Sequence, residues 1–285
     1  MSEFYRVQEI KKNIYRIDSD EQVFMDLFVG TDKALLYDTG YGLGNLEETV
    51  KKITGLPLIV VNSHGHMDHT GGNYQFKEMC LLHESEMEIC KNHNSKDMRK
   101  NTIEISKKTF DYISGEMKNI IPEDFSDENY INGGYGNVAF IKEDEVFNLG
   151  GITLETVLLP GHTPGGIGLL YKEEKMLYVG DALNPFLWLF GPEALKLKDY
   201  IDTIKKAQGI DFDSFVMGHV PTVADKKMLD DFLDCALNID FESGTPFESP
   251  LVKDADARIC TRKGYGPMEM FKPGYASIVI SKEHL

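Results

Sequence analysis

Three histidines and one aspartate fall within six residues of the chain, in the segment 63–72. His64, His66 and Asp68 alternate, and His69 follows directly. Imidazole nitrogens and carboxylate oxygens are the ligands that zinc and related divalent ions take. On an extended backbone the three alternating side chains point the same way, whereas His69 faces elsewhere. One metal ion can hardly use all four ligands, so the spacing predicts two neighbouring ions.

The elements that position these residues are predicted strands. The apolar run 56–62 precedes the cluster and indicates a buried strand, so the ligands follow its carboxyl end. Three further candidate ligands also follow apolar, strand-like runs directly: His162, Asp181 and His219. The carboxyl ends of strands are where α/β folds place their sites. A structural zinc site favours cysteine, which the cluster lacks, so the pattern favours a catalytic metal centre.

Two sequence motifs together resemble those of the metallo-β-lactamase superfamily. One is His-Xaa-His-Xaa-Asp-His at 64–69 with the Thr-Gly-Gly that follows it, and the other is Gly-His-Thr-Pro-Gly at 161–165. The resemblance covers roughly residues 10–83 and 138–240. It implies an α/β (α+β) fold, the αββα sandwich, in which two mixed sheets carry helices on their outer faces.

The resemblance also implies a ligand set and a mechanism. Carried over by position, the first ion is held by His64, His66 and His162, the second by Asp68, His69 and His219, and Asp181 bridges both. We expect two divalent ions, zinc first, with iron or manganese as alternatives. A hydroxide bound between them attacks an acyl carbonyl, which makes the chain a hydrolase. Asp68 is the expected catalytic residue, because it orients this nucleophile or passes its proton to the leaving group.

Asp38 ends another predicted strand, in the sequence Asp38-Thr39-Gly40. In the family a similar Asp-Thr-Gly lies under the metal site, where its carboxylate supports a ligand. The alternative is that Asp38 caps a turn. Two histidines, His83 and His93, stand outside the motifs, and we interpret such isolated residues as surface or packing side chains.

The substrate is left open by the motifs, because one fold hosts many chemistries. We expect a small ester, thioester or lactone, as for enzymes similar to glyoxalase II or the lactonases. The alternatives are an iron-dependent persulfide dioxygenase, a β-lactamase or phosphodiesterase, and a binding protein without activity. Candidate substrate contacts are Asn184, Phe186, Trp188 and Tyr135. The alternating aromatic residues among them form either an apolar wall for an acyl group or ordinary core.

The overall charge argues against two classes of partner. The chain has 285 residues and a net charge of −16 at pH 7. It lacks a basic footprint for nucleic acid, and an anionic membrane surface would repel it, so we expect a small-molecule substrate. We recognise no signal peptide and no apolar run long enough for a membrane span. Four cysteines without a Cys-Xaa-Xaa-Cys pair favour free thiols and a cytoplasmic location.

The predicted organisation is one metallo-β-lactamase-fold domain over residues 1–285. Residues 84–137 are predicted to be a helical insertion, and residues 241–285 a C-terminal extension. Apolar residues of the insertion spread over more than one helix face, which requires more than one packing surface. The insertion therefore covers the metal cleft, forms a homodimer contact, or is a rigid flap without a role at the site. Tyr135 lies on its glycine-rich return.

Overall fold

The computed structural model of the protein describes residues 4–111, 115–249, 256–267, 269–270 and 272–285. The chain divides into two compact units. Unit 1 consists of Met1–Thr153 and Gly218–Val220, and unit 2 of Leu154–Met217 and Pro221–Leu285. Each unit contains both β-strands and α-helices, as expected of an α/β fold.

Unit 1 carries the strands and helices that precede the second motif. Its strands are β1 (Arg6–Lys11), β2 (Ile14–Asp18), β3 (Phe24–Val29), β4 (Ala34–Tyr37), β5 (Leu58–Val61), β6 (Cys80–His83), β7 (Thr109–Asp111), β8 (Glu116–Lys118), β9 (Val138–Ile141) and β10 (Val146–Asn148). Its helices are α1 (Leu46–Ile53), α2 (Met67–Thr70), α3 (Met87–His93), α4 (Lys96–Ser106) and α5 (Asp127–Gly133).

The main sheet of unit 1 has seven strands in the order β1-β2-β3-β4-β5-β6-β9. Strands β1 to β4 pair antiparallel with their neighbours in sequence, and β4, β5, β6 and β9 run parallel. All four residues of β4 are buried, the pattern of a parallel strand in the interior of a sheet. The parallel strands therefore bring their carboxyl ends, at Tyr37, Val61 and His83, to one edge of the sheet.

The core of unit 1 lies between one face of this sheet and helix α1. Ile17, Leu27 and Leu36 belong to the same buried cluster as Leu46 and Val50 of the helix. The helix begins where Asn45 accepts a hydrogen bond from the Glu48 N–H, a favourable N-terminal cap. Burial of this apolar stripe, rather than the propensity of eight residues, is what stabilises so short a helix.

Unit 2 carries the second motif and the C-terminal segment. Its strands are β11 (Thr153–Leu158), β12 (Ile167–Tyr171), β13 (Met176–Tyr178), β14 (Phe186–Leu189), β15 (Ser214–Val216), β16 (Ala224–Asp225), β17 (Thr245–Pro246), β18 (Arg258–Thr261) and β19 (Ser277–Ile280), and its helices are α6 (Leu197–Gly209) and α7 (Met228–Leu237). Within this unit β11, β12, β13, β15 and β16 are hydrogen-bonded in that order, with β13 and β15 parallel.

A second, smaller sheet in unit 2 explains what the C-terminal residues do structurally. Its order is β14-β19-β18-β17, and β14 pairs with β19 in parallel. The predicted extension 241–285 thus supplies three of the four strands. The last of these strands, β19, is buried along its whole length.

Residues 84–137 differ from the predicted helical insertion in their second half. The helices α3 and α4 end at Ser106, and β7 and β8 then form an antiparallel hairpin before α5. The apolar spacing beyond Ser106 suggested a continuing helix, but β-branched Thr109 and the left-handed Gly115 (φ 72°) favour strands and a turn. Residues 112–114 lie outside the described residues.

Within the described ranges, every helix is too short or too polar to traverse a lipid bilayer.

The four thiols give the first testable prediction. Cys80, Cys90, Cys235 and Cys260 are all free and buried. Burial raises the pKa of Cys80 to about 12 and that of Cys90 to about 11, so the reactive thiolate is scarce at neutral pH. We expect native protein to react slowly with a thiol reagent at pH 7.5, and protein unfolded without reductant to titrate four thiols. Fewer than four in the unfolded protein would contradict the free-thiol assignment.

Candidate metal centre

The ligand segment, residues 64–71, does not continue the strand before it. After β5 the chain bends at residues 63–66 and then forms the single helical turn α2. The bend passes so close to α3 that a Cβ on Gly65 would lie 2.7 Å from the Glu86 carbonyl oxygen. The expectation of an extended backbone with alternating ligands is therefore wrong. His66 precedes the helical turn, and Asp68 and His69 project from it.

Asp68, His69 and His219 bring three ligand atoms together within unit 1. Oδ2 of Asp68 lies 3.5 Å from Nε2 of His69 and 3.2 Å from Nε2 of His219. All three atoms lie within 4.8 Å of one another. A tetrahedral metal ion with bonds of about 2.0–2.1 Å places neighbouring ligand atoms about 3.4 Å apart. The donor set of this trio therefore fits a divalent transition-metal ion.

The second ring nitrogen of each histidine in the trio is held by an oxygen acceptor. Nδ1 of His69 lies 2.8 Å from Oδ2 of Asp38, and Nδ1 of His219 lies 2.8 Å from the carbonyl oxygen of Gln22. An Nδ1–H that donates to oxygen leaves the Nε2 lone pair as the metal ligand. Both rings are thus fixed in the tautomer that a metal at Nε2 requires.

His219 reaches the trio because strands β2 and β3 hold the residues on either side of it. The Phe24 N–H donates to the Gly218 carbonyl oxygen (2.9 Å), and the Arg16 guanidinium donates to the Val220 carbonyl oxygen (3.1 Å). Residues 218–220 therefore belong to unit 1 although they are distant in sequence.

Asp38 lies directly beneath His69 and is 1% exposed. Its carboxylate accepts the backbone N–H of Ser63 (2.7 Å) and the Ser63 hydroxyl (2.8 Å) in addition to the His69 ring. These contacts are those expected if Asp38 supports a ligand rather than capping a turn. The carbonyl oxygen of His69 is held as well, by Thr39 Oγ1 (3.1 Å) and Asn62 Nδ2 (2.8 Å).

His64 and His66 form a second close pair. Nε2 of His64 lies 3.0 Å from Nδ1 of His66, while Nδ1 of His64 lies 3.0 Å from the Ser63 hydroxyl. The ring of His66 also packs against that of His93, with centroids 4.7 Å apart. His93, at the end of α3, was interpreted as a surface or packing residue because nothing in the sequence links it to the motif.

In unit 2 the two predicted ligands are also near each other. Nε2 of His162 lies 3.9 Å from Oδ2 of Asp181. Nδ1 of His162 donates to the carbonyl oxygen of Trp188 (2.7 Å), which again leaves Nε2 as the ligand atom. Because Trp188 lies on β14, the C-terminal sheet helps to orient His162.

The predicted substrate residues occupy different environments. Oδ1 of Asn184 accepts the Phe186 N–H (3.0 Å) and so starts β14. Phe186 and Trp188 are partly buried on one face of that strand, in an aromatic cluster with Phe190 and Phe247. Tyr135 lies in unit 1 and is 38% exposed. The aromatic face of β14 is thus partly core, and Trp188 contacts a candidate ligand through its backbone.

Glu21 is a buried acid that the sequence analysis missed. Its carboxylate accepts the Leu43 N–H (3.1 Å) and the Ser19 hydroxyl (3.1 Å). The pKa of Glu21 is raised to about 7, mainly by burial and to a smaller degree by the negative charge of Asp68, while the Leu43 and Ser19 hydrogen bonds lower it. Glu21 follows Asp18 and Asp20 in a polar stretch of the sequence, so nothing in the pattern of residue types distinguishes it as buried.

The Asp38 contact predicts a change in metal affinity. Asp38→Ala removes the acceptor that orients His69, whereas Asp38→Asn keeps an oxygen that can accept the Nδ1–H. We expect the alanine variant to lose roughly 10–100-fold in zinc affinity and the asparagine variant to lose less. Competition with a chromophoric chelator measures this. Wild-type affinity in Asp38→Ala would show that the carboxylate does not support the ligand.

Glu21 predicts a pH dependence of stability in metal-free protein. Its pKa of about 7 in the folded protein lies above the ordinary glutamate value of 4.5, so the folded state binds an extra proton between these pH values. The free energy of unfolding therefore falls as pH rises from 4.5 to 7. This pKa shift corresponds to a change of about 3 kcal/mol in the free energy of unfolding. We expect Glu21→Gln to remove this loss in urea unfolding, and exposed Glu104→Gln to retain it. Parallel pH profiles for wild type and Glu21→Gln would contradict the assignment.

Two known proteins are similar to part of this chain. The human acyl-coenzyme A thioesterase MBLAC2 is 24% identical over 191 residues, which cover 62% of this chain and 64% of that protein. Hydroxyacylglutathione hydrolase GloC of Haemophilus influenzae is 29% identical over 154 residues, which cover 53% of this chain and 61% of GloC. The chain thus spans just under two thirds of the length of these relatives.

The fold agrees with solved structures and with a family model. A metallo-beta-lactamase from Pontibacter korlensis aligns with a TM-score of 0.53 at 19% identity, over 82% of this chain and 99% of that one, which shows the fold. The model of the metallo-beta-lactamase superfamily matches residues 20–80 and 93–219, a span that includes the ligand segment, His162, Asp181 and His219. The predicted α/β fold class is confirmed, and the chain belongs to the metallo-beta-lactamase superfamily.

Proposed function

We propose that the protein is a metal-dependent hydrolase of small acyl substrates. The observation that carries this proposal is the trio of Asp68, His69 and His219, whose ligand atoms converge while Asp38 and Gln22 hold the opposite ring nitrogens. Oriented imidazoles and a carboxylate form a site for a catalytic metal rather than a structural one, because structural zinc sites favour cysteine.

The order of ligands in the superfamily supports the complete assignment. We assign the first ion to His64, His66 and His162, the second to Asp68, His69 and His219, and the bridging position to Asp181. Zinc suits imidazole and carboxylate ligands, as do iron and manganese to a lesser degree. When bound, such ions lower the pKa of a coordinated water to about 7 and polarise a carbonyl group.

The residues of the chain supply orientation and proton transfer. Each of three histidine ligands has an oxygen acceptor at Nδ1, which keeps the proton on that nitrogen and leaves Nε2 free to bind a metal. The acceptors are Asp38 for His69, the Gln22 carbonyl for His219 and the Trp188 carbonyl for His162. Asp68 is partly exposed, with 19% of its side chain accessible, so it can exchange a proton with a bound substrate. In acyl transfer it would accept the proton of the attacking water and deliver it to the leaving group.

Acyl thioesters are the substrate class that we place first, before esters and lactones. The two curated relatives are named for hydrolysis of acyl-coenzyme A and of hydroxyacylglutathione. A thiolate is a good leaving group, so the reaction depends on the nucleophile and on stabilisation of the developing oxyanion. The aromatic face of Phe186 and Trp188 is the proposed contact for the acyl chain.

A substrate screen on metal-quantified protein tests the proposal. We expect hydrolysis of thioesters above that of esters, lactones, β-lactams and phosphodiesters. Asp181→Ala should lose metal and at least roughly 100-fold in kcat/KM together, because it removes the shared ligand. Asp211→Asn, an exposed carboxylate of the same unit paired with Lys175, is the matched control and should retain both. Full activity in metal-free protein would rule out the mechanism, and activity confined to another substrate class would replace the thioester assignment.

A further inference from the structure

Two buried side chains of opposite charge contact the two ends of the ligand segment. Glu86 directly precedes α3, and Arg99 lies in α4; both are 0% exposed. Charged residues are almost never fully buried unless their hydrogen-bonding groups are matched by partners. Both residues belong to the segment 84–137, for which the sequence suggested a lid, a dimer contact or a rigid flap.

Glu86 contacts the beginning of the ligand segment. Its Oε2 accepts the Gly65 N–H at 2.8 Å. Gly65 lies between His64 and His66, so this hydrogen bond fixes the peptide that joins two candidate ligands. The approach is close, because a Cβ at Gly65 would also lie 2.9 Å from the Cys90 N. The bend therefore fits against the start of α3 only with glycine at this position.

Arg99 contacts the end of the ligand segment. Its guanidinium donates to four neutral acceptors: the carbonyl oxygens of Gly71 (2.9 Å), Tyr130 (3.2 Å) and Gly134 (2.5 Å), and Oδ1 of Asn94 (2.9 Å). Gly71 directly follows α2, where carbonyl oxygens lack intrahelical partners and a cation is favourable.

Asn94 extends this contact into the helical turn itself. Its Nδ2 donates to Oγ1 of Thr70 at 2.7 Å, and that hydroxyl donates to the His66 carbonyl oxygen at 2.9 Å. Thr70 is the neighbour of His69 in the chain. The helical turn that carries Asp68 and His69 is only four residues long, so it depends on outside contacts to keep its place.

We propose that helices α3 and α4, with Glu86 directly before α3, act as a clamp on the ligand segment, in which Glu86, Asn94 and Arg99 are positioning residues for the metal ligands. Glu86 fixes the peptide between His64 and His66, and Arg99 with Asn94 fixes the turn that carries Asp68 and His69. This inference rests on the proposed metal site. It gives this part of the predicted insertion a role in holding the geometry of the metal ligands.

The test compares metal affinity with stability in matched variants. Glu86→Leu removes the acceptor of the Gly65 N–H, while Glu86→Gln keeps an oxygen there. Arg99→Met removes the donors, Arg99→Lys keeps the charge without the planar fork, and Asn94→Ala cuts the link to Thr70. The controls are Glu88→Gln and Lys100→Gln, whose side chains are 78% and 58% exposed near the same positions. Zinc affinity by chelator competition, the absorption spectrum of cobalt-substituted protein and the Tm of metal-free protein are measured for each.

We expect Glu86→Leu and Arg99→Met to lose roughly 10–100-fold in zinc affinity and to show an altered cobalt spectrum. Glu86→Gln should restore most of the affinity, Arg99→Lys and Asn94→Ala should be intermediate, and the controls should match wild type. If Tm falls while affinity and spectrum stay at wild-type values, the network serves stability alone and the clamp is wrong.

If Glu86→Leu and Arg99→Met do not fold, the clamp is tested by Arg99→Lys and Asn94→Ala. Wild-type metal affinity and a wild-type cobalt spectrum in both variants would overturn it. If wild-type protein binds no metal, the proposed function fails and the clamp with it. Metal in wild type with unchanged affinity in every folded variant would overturn only the clamp.

Discussion

The hydrogen bond between Asp38 and His69 links the sheet of unit 1 to its chemistry. Asp38 follows β4, and its carboxylate holds both the His69 ring and the backbone at Ser63, just beyond the neighbouring strand β5. Two adjacent parallel strands thereby fix one imidazole from below. Because the acceptor lies at Nδ1, the metal-binding nitrogen is Nε2, and the fold thereby determines which tautomer of the ligand is present.

The same arrangement recurs at the other candidate ligands, with different acceptors. A main-chain carbonyl oxygen orients His219 and another orients His162. The first belongs to the turn between β2 and β3, and the second to β14 in the C-terminal sheet. Parts of the chain far from the motifs therefore contribute to the orientation of the ligands, and conservative changes of those side chains would leave the backbone acceptors in place.

The motifs' resemblance to the superfamily was sufficient to predict the α/β fold class, and the apolar runs before the motifs predicted where buried strands lie. The apolar run 56–62 predicted a buried strand, which is observed as β5 (Leu58–Val61), because buried parallel strands are apolar at almost every position. Polar residues directly after such runs stand out for the same reason. The directions in which the ligand side chains point were not predictable, because the bend at 63–66 depends on the close approach of α3 to Gly65.

Buried charges were the least predictable part of the site. Glu21, Glu86 and Arg99 look like ordinary surface residues in the sequence, and their burial is decided by tertiary contacts. The segment 84–137 showed apolar residues on several faces, which indicated more than one packing surface without identifying them. Its contacts with Gly65 and Gly71 involve backbone atoms, and these leave no trace in the pattern of side-chain types.

The metal centre can be observed directly by X-ray absorption at the metal edge, on protein purified without chelator and with its metal content quantified. We expect about two ions per chain, with nitrogen and oxygen neighbours at about 2.0–2.1 Å and the scattering pattern of imidazole rings. We expect no sulfur neighbour, because the assigned ligands are histidines and aspartates. Metal-free protein, or a sulfur neighbour at about 2.3 Å, would contradict the assignment of the site.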